Sequence, residues 1–100
     1  MFNKLSKKSV VAITGISDAR TSRYGGTYRY IYAMDSMGRN LHPASLSTQM
    51  QNYDEWETIV EILETKNRSE SLLCEDARII QRDGKTMLDC DWAPRELELI

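Results

Sequence analysis

Three features of the chain predict a mainly β domain carrying one helix, in the order β-β-β-α-β-β. Compact β-branched or strictly alternating segments open it, one segment near residues 53–65 has helical spacing, and a hairpin pattern about Asp83-Gly84 closes it. With 100 residues, the chain fits one domain stabilised by a single core. Hydrophobic residues at 41% and charged residues at 28% exclude the disordered and fibrous classes.

Residues 1–9, MFNKLSKKS, read as a basic lead-in that is mobile at its end. From Ser9 the run SVVAITGI is β-branched, as a buried strand requires, and Gly15 permits a bulge or sharp bend. Ser17 to Gly26 has loop chemistry. Thr27 to Asp35 then alternates, placing Tyr28, Tyr30, Tyr32 and Met34 on one face and Arg29, Ile31 and Ala33 on the other. Ser36-Met37-Gly38 turns the chain into a third strand between Asn40 and Gln49. Pro43 has no N–H for a ladder, which puts that strand at an edge or gives it a bulge.

The helix is expected at about 53–65. Asn52 and Glu55 form a variant capping box, Asp54 and Glu55 suit the positive end of the dipole, and Trp56, Ile59, Val60 and Leu63 recur on one stripe. Leu72 to Gln81 and Thr86 to Trp92 form the hairpin. A two-residue turn at Asp83-Gly84 puts Leu73, Ala77, Ile79, Leu88, Cys90 and Trp92 on the core face, with Asp76, Arg78, Asp89 and Asp91 opposite. Arg78 then lies across from Asp89 as a cross-strand pair. The same register points Cys74 and Cys90 to opposite faces, so both thiols are expected reduced and separate, Cys90 as a small core residue. Arg95 to Ile100 supplies a short terminal strand or an extension.

Three strands, a helix and a two-stranded hairpin is the element order of the OB-fold, a five-stranded Greek-key barrel, and an OB-like barrel over residues 1–100 is the expected architecture. Val11-Ala12-Ile13-Thr14-Gly15, then Arg23-Tyr24 before the glycines, then the alternating strand through Ala33 resemble bacterial single-stranded-DNA-binding proteins and the related primosomal replication protein N. That resemblance spans about a quarter of the chain and implies binding of single-stranded DNA in replication.

Charge points the same way. The net −2 conceals a basic first half, with seven Lys or Arg against two acids, and an acidic second half, with six against thirteen. One half suits an anionic partner and the other repels it, unless the two interleave in space. Arg20 to Ala33 concentrates four tyrosines and three arginines around Gly25-Gly26. Flat rings and cations in alternation are what a single strand requires, since phosphate charge drives affinity and each stacked base adds roughly 1–3 kcal/mol. The candidate nucleic-acid-binding residues are Arg20, Arg23, Tyr24, Tyr28, Arg29, Tyr30, Tyr32 and Arg39. Whether the tyrosine row faces a ligand or forms a core stripe with Met34 is open at this stage.

The alternative is a protein-binding adaptor or inhibitor that uses the acidic helix face, Glu57, Glu61 and Glu64, or an exposed sheet edge that takes a partner strand or a second copy. Catalysis is not expected. His42 stands alone beside Pro43, no motif marks an activated nucleophile, and Gly25-Gly26 lacks the ending of a phosphate loop. No C-x-x-C or H-x-x-x-H spacing calls for a metal, and no cofactor is implied. The longest apolar run near the start, Val10 to Ile13, is far shorter than the roughly 20 residues of a membrane helix, so a soluble cytoplasmic protein is expected.

Overall fold

The computed structural model describes residues 7–100, so residues 1–6 of the basic lead-in lie outside the described residues. The elements are β1 (Lys7–Ile16), β2 (Arg20–Thr21), β3 (Thr27–Asp35), β4 (Ala44–Ser47), α1 (Tyr53–Thr65), β5 (Leu72–Arg82), β6 (Lys85–Leu88) and β7 (Leu97–Leu99). They form a mainly β domain with one helix, whose seven antiparallel strands run β2-β3-β1-β5-β6, with β4 on β3 and β7 on β5. Among the described residues the sheet is not closed. Just ahead of β4, His42 makes a parallel bridge to Met87 of β6, in which the His42 N–H donates to the Thr86 carbonyl at 2.8 Å.

Each strand owes its position to a local rule. Lys7 and Lys8, assigned to the lead-in from sequence, are the first rungs of β1 and pair with Ile79 and Arg78. The glycine-containing end of β1 is bulged. Ile13 faces Ala33 while Gly15 faces Tyr32, leaving Thr14 as the extra residue. β4 is shorter than the expected third strand and pairs only with β3, in keeping with a proline just ahead of it. The hairpin has the predicted register, with Ile79 opposite Leu88 and Arg82 opposite Lys85. Asp83 and Gly84 adopt φ 53° and 76°, the left-handed pair that a two-residue turn uses.

A second bulge overturns the face assignment on β5. Ser9 faces Ala77 but Val11 faces Cys74, so Glu75 and Asp76 together oppose Val10 and the alternation shifts by one residue. Leu72, Cys74 and Ala77 are therefore all buried, whereas Leu73, expected in the core, is only half-buried. Asp76, expected on a solvated face, is 6% exposed. Both thiols are buried and free, so Cys74 does not face the polar side.

β6 ends at Leu88, four residues before the expected end of the strand. The Cys90 carbonyl leaves the ladder for the helix, where it accepts from Trp56 Nε1 at 2.9 Å and Asn52 Nδ2 at 3.0 Å. Asn52 thus makes no side-chain cap, and the capping-box reading is corrected. Trp92 is not a core strand residue either. Half-buried, it donates from Nε1 to the Asp76 carbonyl at 2.7 Å, and Arg78 stacks on its ring at 4.8 Å. Asp89 lies across from Arg78 as expected, its N–H donating to the Arg78 carbonyl at 2.7 Å, but among the described residues the two side chains form no ion pair. The helix occupies the predicted residues and buries Trp56, Ile59, Val60 and Leu63 against Val11, Ile13, Ile31, Leu46 and Leu72.

Candidate nucleic-acid interface

Alternation along β3 decides which way the tyrosines point. Ile31 and Ala33 are buried in the core, so Tyr28, Tyr30 and Tyr32 lie on the opposite, outward face. Tyr28 and Tyr30 are half-buried and meet edge to face at 5.7 Å, and Tyr32 is 41% exposed. The row is not a core stripe. Arg20, opposite Tyr28 in the β2–β3 ladder, places its guanidinium 5.9 Å from the Tyr30 ring.

The loop beside the row is shaped by its glycines. Gly25 and Gly26 have φ 94° and 69°, and a Cβ on Gly26 would lie 2.7 Å from Thr48 Oγ1 and 2.9 Å from Gln49 Cγ. Such close packing against the end of β4 holds the loop in a tight reversal, with the Gly25 N–H donating to the Ser22 carbonyl. Arg23 and Tyr24 are left exposed at its tip, Tyr24 by 82%. Thr21, Ser22, Arg23, Tyr24 and Tyr28 border an open recess of about 670 Å³.

Two predicted residues lie elsewhere. Arg29 points to the core side, 18% exposed, donating from Nε to the Ser17 carbonyl at 2.9 Å and pairing through Nη1 with Glu64 at 3.0 Å. It fastens loop, strand and helix together. Arg39 follows the far end of β3, roughly 23 Å along the strand from Tyr28. There its backbone N–H and side chain both bond Asp35, at 2.9 Å each. The Arg39 backbone N–H, against a smaller desolvation effect, leads in holding the Asp35 carboxyl below its usual range, helped by the Arg39 side chain and the Met37 N–H. The fold gathers Arg20, Arg23, Tyr24, Tyr28 and Tyr30 at one end of β3, continues the outward row to Tyr32, and takes Arg29 to the core side and Arg39 to the other end of the strand.

A groove of about 470 Å³ continues the site where the sheet stays open. Tyr30 and Ser45 form one wall, Ile80, Arg82 and Met87 the other, with His42 between them. Apart from Tyr30, sequence periodicity does not single these residues out, although the hairpin register already puts Ile80 opposite Met87, on the face away from Ile79 and Leu88. Asp89 and Asp91 at the rim make its charge mixed. Cys90 also borders it but is chemically quiet. Burial, with Asp89 and Asp91 adding and Arg82 opposing, pushes its thiol up to about 12, and burial with Asp76 does the same for Cys74. Among the described residues no three His, Cys, Asp or Glu side chains group to hold a metal ion, and no helix is long and apolar enough to cross a membrane.

On the helix, Glu57 and Glu61 are exposed, while Glu64 is drawn to Arg29. Comparison of the chain with family models, with curated proteins and with solved structures finds no match.

Proposed function

We propose that the chain is a non-enzymatic module that binds single-stranded nucleic acid in a replication, repair or mobile-element setting. In this reading the sheet is an OB-like barrel whose seam is reduced to the His42–Met87 bridge. The observation that carries the proposal is the outward tyrosine row of β3 beside the cationic loop. Tyr28, Tyr30 and Tyr32 offer rings on the face away from the core, and Arg20, Arg23 and Tyr24 supply charge and a further ring at one end. Bases stack on the row while the phosphates run past the loop arginines, and the groove at Arg82 extends the track.

Fluorescence anisotropy with labelled DNA and RNA oligonucleotides at low salt tests this. Binding is expected, with Tyr28→Ala and Tyr30→Ala each weakening it by roughly 1–3 kcal/mol. No binding of either polymer at low salt overturns the reading. Exposure of Glu57 and Glu61 favours a second one, a protein partner with a basic surface on the helix. Reversing both charges abolishes such a complex and leaves oligonucleotide binding intact.

A further inference from the structure

We propose that the free edge of β7 docks an extended peptide in which basic and apolar residues alternate. Backbone geometry comes first. Ser71 and Ile100 exchange both N–H···O bonds, and the Glu75 N–H donates to the Glu96 carbonyl, so Glu96, Glu98 and Ile100 turn their polar groups toward β5. Antiparallel ladders alternate, and the N–H and C=O of Leu97 and Leu99 therefore point away from the sheet. Within the described residues β7 pairs with β5 alone, and Glu98, Leu99 and Ile100 are exposed. An added strand completes those four groups without disturbing the existing ladder.

Side chains set the occupant. Leu97 and Leu99 share a face with Cys74 and Leu72, their ladder partners, and Leu97 packs on the core. Glu96 and Glu98 lie on the other face, and with Glu75 and Leu97 they border a recess of about 270 Å³. Among the described residues none of these three glutamates makes an ion pair. A strand laid on this edge meets carboxylates on one face and leucines on the other, which selects Lys or Arg alternating with Val, Ile or Leu. Two self-pairing registers of β7 bring carboxylates together. Antiparallel self-pairing centred on Glu98 opposes two copies of Glu98, and pairing centred on Leu97 opposes Glu96 and Glu98.

The test uses the whole chain and a fluorescent peptide of alternating Lys and Val, beside one of the same composition with its lysines in a block. The alternating peptide is expected to bind, and to bind about tenfold more weakly once Glu96→Lys and Glu98→Lys are combined. Hydrogen exchange at the Leu97 and Leu99 amides should slow in the complex. Equal binding of the two peptides, or unchanged exchange at those amides, reduces the effect to general attraction by an acidic surface and overturns the proposal. Slowing that depends on protein concentration without peptide makes a second copy the occupant and also overturns it. Oligonucleotide binding does not enter the readout, so the outcome is independent of the tyrosine face.

Discussion

Asp76 does more for this fold than its place in a run of acids suggests. Its carboxylate accepts from the Arg95 N–H at 3.0 Å and the Glu96 N–H at 2.9 Å, fixing the segment that leads from β6 into β7. Desolvation raises its pKa, but the Glu96 and Arg95 N–H bonds, with Lys8 nearby, outweigh that and leave it below the usual 3.8. A carboxyl lowered on folding contributes stability above its unfolded value and loses it as pH falls through the native one. Asp76→Ala is therefore expected to cost about 2 kcal/mol at neutral pH and to flatten the acid limb of the stability curve below pH ~4, measured by urea titration. The sequence places Asp76 on a solvated face because two-residue alternation holds only while the ladder has no bulge. The same bulge buries Cys74. With thiol values near 12, about one in 10⁴ is ionised at pH 8, so thiol reagents should label Cys74 and Cys90 only upon unfolding, and rapid labelling of the native protein would contradict this placement.

At the scale of elements, legibility follows the range of the interactions that decide each one. The helix at 53–65 and the Asp83-Gly84 hairpin are set by local spacing and turn chemistry, and both are read correctly from the chain. The end of β6 is decided by Trp56 and Asn52, which hold the Cys90 carbonyl from 34 and 38 residues away, and no local pattern announces that. On β3 the alternation separates Arg29 from the tyrosines, but the tyrosine face becomes definite only when Ile31 and Ala33 meet the helix-covered core. The loop from β2 to β3 depends on Gly26, whose φ of 69° and close approach to the Thr48 and Gln49 side chains penalise any added side chain. Gly26→Ala is expected to cost roughly 1–3 kcal/mol. It should also displace Tyr24 and Arg23, so oligonucleotide affinity falls even where the protein remains folded by circular dichroism. Unchanged affinity with unchanged stability would mean that the reversal is not required for the site.

Over the whole molecule the charge asymmetry of the sequence is partly mixed by pairing. β1 from the basic half lies against β5 from the acidic half, and the Arg29–Glu64 ion pair joins the two across the core. What survives is local. Arg20 and Arg23 gather at one end of the tyrosine row, Arg82 borders the groove beyond it, and Glu75, Glu96 and Glu98 line the β7 edge. Single-stranded binding releases about 0.7 counterions per phosphate neutralised, so three arginines on one strand imply a slope of roughly −2 in log K against log salt. Replacing Arg20 and Arg23 together by Gln should reduce its magnitude by about 1.4, and Arg82→Gln alone by about 0.7. Arg29→Gln is the discriminating variant. Its charge is engaged with Ser17 and Glu64 on the core side, so it is expected to lower stability by roughly 1 kcal/mol and leave the slope unchanged. A slope that drops with Arg29→Gln and holds with the Arg20 and Arg23 pair would move the phosphate track off the tyrosine face.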